Sequence, residues 1–572
     1  MMRYHMKQLG LEKCTKMIQT TNRSEGHSTR PLPGNHPSAV RRTLISNPVL
    51  PGFHPDPSFI RVGHDYYLAT STFEWFPGVP LYHSRDLVHW RPIGHALTRI
   101  SQVDLRGVPD SGGVWAPSLS HHDGLFYLVY SNVLTKQGPF KNVHNYLITA
   151  TDILGPWSDP IFLNSSGFDP SLFHDADGRQ WLLNVQWDHR KGHFRFGGIV
   201  LQEYCSSQRR LIGPIQKLLE RDDVIEGPNL YKVDGRYYLI VAEGGSGYGH
   251  GVLVARSDRI DGPYQVDPAG AMLTSRDRPN NPLQKAGHAE IVQTPVGEWY
   301  MAHLCARPLY PNRRCPLGRE TALQRVEFSS EGWLRMAHGS REPQIHVPPP
   351  IGIESHPWPA PAARDDFDSP ALDLEWNTLR TPVDPRRFSL DARPGWLRLY
   401  GRESVSSLFE QSLIAKRQTG FSCCAETRVE FHPTHFSQAA GLVCWYDTDT
   451  YYYLQLTHDD EQGVVLQIVL SDMGRYDELL DSRICLQSWE SVYLRAKIEN
   501  EALRFFASPD GRHWQSVGPL LDASRIADDY APGLKFTGSF IGICAQDLRG
   551  TAVVADFDYF ELADISPPTQ PT

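Results

Sequence analysis

Val224-Ile225-Glu226-Gly227-Pro228-Asn229-Leu230-Tyr231-Lys232-Val233-Asp234-Gly235-Arg236-Tyr237-Tyr238-Leu239 is the stretch whose reading decides the fold. Gly227 and Pro228 punctuate a strand entry, Leu230 and Tyr231 begin the strand, and Asp234-Gly235 is a two-residue hairpin signal. Tyr237 to Val241 form the returning strand. Glu226 therefore stands at the mouth of an apolar hairpin. The same hairpin recurs at Gly63-His64-Asp65-Tyr66-Tyr67, Asp123-Gly124-Leu125-Phe126-Tyr127, Asp177-Gly178-Arg179-Gln180-Trp181 and Val296-Gly297-Glu298-Trp299-Tyr300. The hairpin glycines are spaced 61, 54, 57 and 62 residues apart. Repeats of this length, with short aromatic strands and no helical period between them, predict a five-bladed β-propeller.

The first strand of each propeller blade lines the central axis, so equivalent positions converge at one end of the channel. Nine residues before the hairpin glycine stand Trp115, Asp169, Glu226 and His288, and seven before it in the shorter first unit stands Asp56. Pro57, Pro117, Pro170 and Pro228 mark the strand entries beside them, three followed by Ser and one by Asn. Three carboxylates, an indole and an imidazole are thus expected to face one another.

Beyond Trp333 the aromatic hairpins stop, and the proline-rich run through Val347-Pro348-Pro349-Pro350 to Pro361 reads as a semi-rigid linker over residues 346–363. Short alternating segments such as Tyr451-Tyr452-Tyr453-Leu454-Gln455-Leu456 and Val554-Ala555-Asp556-Phe557 follow. They predict a jelly-roll, concanavalin-like β-sandwich over residues 364–565, so the whole chain is all-β. Residues 1–44 lack periodicity and read as a disordered arm, the propeller spans 45–345, and 566–572 form a tail.

A composition of 40% apolar and 11% aromatic residues over 572 positions excludes disorder throughout. The net charge of −9, without a long basic run, argues against nucleic acid as a partner. No apolar run approaches the ~18 residues of a membrane helix, and no secretory core opens the chain, which leads to an expectation of a cytoplasmic protein without a membrane partner. The nine cysteines are scattered with no Cys-x-x-Cys spacing, which argues against a disulfide framework or zinc site.

An Asp before Pro is by itself an ordinary turn residue. Three carboxylates at equivalent repeat positions are different, because like charges gathered in a channel resist ionisation and stability would not select them. Glycosidic cleavage needs such a set: one carboxyl protonated to supply the leaving oxygen and one ionised to activate water. Glu226, long and in an apolar context, suits the acid; Asp56 suits the base; Asp169 suits a neighbour that raises the acid's pKa. The rival is a calcium site built from these carboxylates and His288, ranked second because an oxygen cage needs more ligands. Phe73, Trp75, Phe76 and Trp115 are aromatics able to stack on sugar rings, though packing between blades explains most such residues. Arg319 could bind a sugar hydroxyl or compensate the acidic centre. Gly244-Gly245-Ser246-Gly247-Tyr248-Gly249-His250-Gly251 lacks the end of a phosphate loop and reads as a rim loop.

The phrases Asn47-Pro48-Val49-Leu50-Pro51-Gly52-Phe53-His54-Pro55-Asp56-Pro57-Ser58, Thr70-Ser71-Thr72-Phe73-Glu74-Trp75-Phe76-Pro77-Gly78, Gly167-Phe168-Asp169-Pro170-Ser171, Glu226-Gly227-Pro228 and Gly318-Arg319-Glu320-Thr321 carry a resemblance to the family 43 glycoside hydrolases. Within that family the chain resembles the two-domain β-xylosidases from about Asn47 to Leu562. The resemblance implies an inverting hydrolase that removes β-1,4-linked xylose from the non-reducing ends of xylo-oligosaccharides, with α-L-arabinofuranosidase activity in some relatives. It assigns the base to Asp56, the pKa-modulating aspartate to Asp169, the acid to Glu226, the substrate-contacting arginine to Arg319 and a subsite wall to Phe73. It also implies that a sandwich aromatic closes the pocket, for which Phe540 is the candidate. No cofactor is required for the chemistry; His288 matches a channel histidine that in some relatives lies beside a divalent ion such as calcium. Relatives are commonly dimers or tetramers, so a homo-oligomer is expected. The alternatives left open are an α-L-arabinofuranosidase or arabinan-degrading hydrolase, and a non-catalytic carbohydrate-binding protein.

Overall fold

The computed structural model of the chain describes residues 43–533 and 535–565. The expected N-terminal arm, apart from Thr43 and Leu44, and the tail from residue 566 lie outside the described residues. Five antiparallel sheets follow one another in chain order and form the five-bladed propeller. Their first strands are Ser58–Val62, Gly113–His122, Gly167–His174, Ile225–Val233 and Gln284–Gln293, and each of these innermost strands packs against the next around the channel. In each blade the second strand returns through the turn read from the sequence. Asp123-Gly124 and Asp234-Gly235 both have positive φ, the backbone of a type I′ hairpin, which matches the twist of the flanking strands. At Gly178 and Gly297 the same signal lies inside wider turns, because the ladders close at His174–Gln180 and Gln293–Trp299.

The ring is stitched shut at both chain ends of the propeller. Ile45–Ser46 pairs with His346–Val347. The Asn47 amide donates to the carbonyls of Leu323 (2.7 Å) and Gln344 (2.8 Å), while its oxygen accepts from Leu323 N–H (2.8 Å). A buried asparagine that satisfies both ends of its amide fixes where the first residues cross blade 5.

The remaining strands form two packed sheets, a concanavalin-like sandwich. Side chains such as Leu397, Leu454, Leu466, Leu494 and Phe557 alternate inward to fill its interior. The second sheet turns its outer face toward the propeller and ends on a strand that the propeller supplies: Trp75–Phe76 pairs with Asn377–Leu379. Around that junction Phe53, Phe73, Trp75 and Trp115 share one apolar cluster with Leu379, Trp445 and Phe540 of the sandwich. Arg380, fully buried, donates to the Val108 carbonyl (2.8 Å) and pairs with Asp110 (2.6 Å) across the same junction. Among the described residues all cysteines are free; Cys423 is buried and its neighbour Cys424 half-buried, as alternation along a strand requires.

Candidate active site

The inner strands share a corner. Asp56, Ala116, Asp169, Gly227 and His288 have φ of 53, 35, 54, 57 and 47°. In blades 2 to 5 the ladder with the next strand is broken at that point, between Trp115 and Ser118, Phe168 and Ser171, Glu226 and Asn229, and Gly287 and Ala289. Left-handed backbone at residues bearing side chains is strained, and such strain gathers at functional sites. The equivalence read by counting from the hairpins is corrected in two blades: the corner residue is Ala116, with Trp115 one place before it, and Gly227, with Glu226 one place before it. The break in the ladder shifts the count that a continuous strand would keep. Glycine is required at the fourth corner, because a Cβ on Gly227 would stand 2.9 Å from His288 Nε2. The side chains still meet: Asp56, Trp115, Asp169, Glu226 and His288 all line one pocket at this end of the channel.

The three carboxylates sit in opposed settings. Burial alone would raise the Asp56 carboxyl, but Arg319 first, then His288 and Ser71, outweigh it and hold it below its usual range. Arg319 Nη1 donates to Asp56 Oδ1 at 2.9 Å, Ser71 Oγ donates to Oδ2 at 2.7 Å, and His288 Nδ1 lies 3.6 Å from Oδ1. Glu226 goes the other way. Burial and the Asp56 charge push it up to about 7, against the pull of Arg319 and Lys141. Asp169 rises well above the carboxylate range through burial and the charges of Glu226 and Asp56; its Oδ2 accepts from Gly227 N–H at 3.1 Å, on the residue next to Glu226. One carboxyl held low thus faces two neighbouring carboxyls held high.

Arg319 does more than pair with Asp56. Its Nη2 donates to the Phe536 carbonyl (3.2 Å), and its guanidinium lies 5.3 Å from the Phe73 ring and 5.2 Å from the Phe536 ring. Phe73 and Trp115 wall the pocket as expected, with ring centroids 5.9 Å apart. Two expected pocket residues are elsewhere. Trp75 has no exposed surface and stacks on Phe540 at 3.8 Å, so both rings cement the propeller to the sandwich. Each belongs to a strand, Trp75–Phe76 or Phe540–Asp547, whose pairing commits the side chain to packing. The sandwich residue that reaches the pocket is Phe536, in the loop before that strand, with its N–H donating to Ser111 Oγ at 3.0 Å. Its signal was available as a second aromatic in Lys535-Phe536-Thr537-Gly538-Ser539-Phe540, upstream of the strand start. Phe168, Ser246 and His250 complete the lining, the last two from the glycine-rich rim loop. His250 Nε2 has no partner in the protein.

Two residues past each corner stand Ser58, Ser118, Ser171, Asn229 and Glu290, all buried. Buried Glu290 accepts from Ser58 Oγ (3.0 Å), Phe59 N–H (2.7 Å) and Ser118 Oγ (3.4 Å), tying blade 5 to blades 1 and 2 beneath Asp56. Calcium takes six to eight oxygens, and no cluster of three or more His, Cys, Asp or Glu side chains among the described residues supplies such a cage by itself. His288 itself is packed between Asp56 and Gly227.

The comparisons with known proteins agree with this geometry. Residues 45–334 match the family described as Glycosyl hydrolases family 43, and residues 364–563 match the beta xylosidase C-terminal concanavalin A-like domain. A beta-xylosidase of Bacillus subtilis (strain 168) is 46% identical over 90% of this chain and 99% of its own length. Xylosidase/arabinosidase 43B of Humicola insolens is 45% identical, covering 92% and 98%. The crystal structure of xylan beta-1,4-xylosidase from Bacillus halodurans C-125 superposes with a TM-score of 0.89 at 52% identity, covering 91% of this chain and all of that one. With a paired set of oppositely tuned carboxylates in a propeller pocket and both domains matched, the chain belongs to glycoside hydrolase family 43.

Proposed function

We propose that the protein is an exo-acting β-1,4-xylosidase that inverts the anomeric centre, releasing xylose from the non-reducing ends of xylo-oligosaccharides. The observation that carries this reading is the opposition between Asp56, held below its usual range by Arg319, and Glu226, pushed up to about 7. At neutral pH Asp56 is ionised and takes a proton from the attacking water, while Glu226 still holds a proton to give to the departing glycosidic oxygen. Asp169 orients Glu226 through the Gly227 N–H and shares with it the cost of ionising in one buried place. Phe73, Trp115 and Phe536 offer faces for one sugar ring, and the unpartnered His250 Nε2 is free for a hydroxyl. Phe536, arriving from the sandwich, blocks one side of the pocket, which favours a chain end over a threaded chain. No step here uses a cofactor, and His288 lends its imidazole to the setting of Asp56.

The β-xyloside preference follows the names of the Bacillus relatives; the name of the Humicola protein supports an arabinosidase activity as a second activity of the same pocket. Matched 4-nitrophenyl β-D-xyloside and α-L-arabinofuranoside separate the two. The proposal expects the larger kcat/KM on the xyloside; a larger value on the arabinoside would reverse the ranking.

A further inference from the structure

The outer face of the second sandwich sheet is only half covered by the propeller. Along Thr450–Asp459, Tyr451 and Tyr453 pack into the apolar cluster shared by the two domains, while Gln455, Thr457 and Asp459, on the same face, line an open groove. The groove has a volume of about 550 Å³ and continues the interdomain junction outward. That volume is within the range of small-molecule sites, about 300–1,000 Å³. Its floor is polar yet shielded: Gln455 and Gln467 are 7% and 4% exposed. Arg483 orders that floor, donating from Nε to Gln467 Oε1 (2.7 Å), from Nη1 to Asp459 Oδ2 (2.9 Å) and from Nη2 to Glu478 Oε2 (3.3 Å).

Two aromatic rings stand exposed at the rim. Tyr476 is 59% exposed, yet its hydroxyl donates to Glu478 Oε1 at 2.7 Å, so the ring is held in place. Phe436 is 66% exposed; its ring stacks on His435 at 4.2 Å, and its carbonyl accepts from Thr457 Oγ1 at 3.1 Å. Fixed aromatic faces above a floor of amides, carboxylates and a guanidinium suit a ligand with apolar ring faces and hydroxyl edges. Asp459, Asp460, Glu461 and Glu478 outnumber Arg483 among the lining charges, which disfavours an anionic ligand. These acidic residues form no metal cluster, which disfavours a bare cation.

The geometry points to a second, non-catalytic glycan site in this groove, taking a neutral β-1,4-linked xylose chain and so holding the polysaccharide whose ends the propeller pocket trims. The choice of xylose rests on the xylosidase reading; the polyhydroxyl class rests on the groove alone. The test is affinity electrophoresis of the full chain in gels with soluble β-1,4-xylan, with soluble β-1,4-glucan, or without polysaccharide, alongside kcat/KM on 4-nitrophenyl β-D-xyloside. The expected result is retardation by xylan that weakens at least tenfold in Phe436→Ala/Tyr476→Ala and in Gln455→Ala, with kcat/KM changed less than twofold and Tm unchanged. Retardation that survives these variants but disappears in Trp115→Ala would place all binding in the catalytic pocket and overturn the proposal. So would a wild type that xylan does not retard, stronger retardation by glucan, or a variant that loses self-association in sedimentation instead of glycan binding. Failure to cleave the aryl xyloside would sink the xylosidase reading, while the retardation data would still decide the groove.

Discussion

At the scale of single residues, the proposed chemistry depends on Asp56 and Glu226 being pushed in opposite directions, and each push can be removed. The account predicts a bell-shaped kcat/KM profile. The acid limb falls as Asp56 gains a proton below the usual carboxylate range; the alkaline limb falls near pH 7 as the Glu226–Asp169 pair loses one. Arg319→Ala removes the foremost influence lowering Asp56, so the acid limb should move to higher pH, with kcat/KM reduced by roughly 10²-fold or more. An unmoved acid limb would show that Asp56 is not the titrating base. A stability consequence follows with its own sign. Glu226 titrates near ~4.3 when unfolded and at about 7 when folded, so between these values the native state binds more protons. Its contribution to stability is full below the lower value and lost as pH rises through the upper one. Glu226→Gln should therefore be inactive on substrates with poor leaving groups yet raise Tm at pH 8, with the gain shrinking toward pH 4. A lower Tm at pH 8 would contradict the buried, protonated description.

At the scale of elements, what matters is the corner at the head of each inner strand and the strand-or-loop status of the aromatics. The hairpins, the five repeats and the convergence of Asp56, Asp169, Glu226 and His288 were legible because Asp-Gly turns and aromatic strands are local signals. The left-handed corners were not, since a break in the ladder depends on the neighbouring strand, and the count slipped by one at Trp115 and Glu226. Trp75 and Phe540 were misplaced for a related reason: Trp75 becomes a strand residue only by pairing with Leu379 of the sandwich, and Phe540 by pairing with Arg417 and Trp445, far from it in sequence. That distinction is testable. Phe540→Ala should cost ~3–5 kcal/mol of stability as a buried Phe, seen as a large fall in Tm. Phe536→Ala should leave Tm nearly unchanged and raise KM about tenfold, the worth of one lost ring contact. The reverse pattern would return Phe540 to the pocket.

At the scale of the whole molecule, the propeller and sandwich are built as one body around a shared seam. The propeller's Trp75–Phe76 strand completes a sandwich sheet, Phe53 and Trp115 share a cluster with Trp445 and Phe540, and Arg380 crosses to Asp110 without solvent contact. The seam is also what delivers Phe536 and its carbonyl to Arg319. Calorimetry should accordingly show a single unfolding transition for both halves. Asp110→Ala, which strands the buried guanidinium, should lower it by ~3–5 kcal/mol; two separate transitions would contradict the shared core. All these parts serve one claim, that water activated by Asp56 attacks the face of the sugar opposite the Glu226 proton. The measurement that tests this most directly is ¹H NMR of the first product formed from an aryl β-D-xyloside, read before mutarotation. Initial α-xylose is expected; initial β-xylose would mean a covalent, retaining route and would overturn the roles given to Asp56 and Glu226.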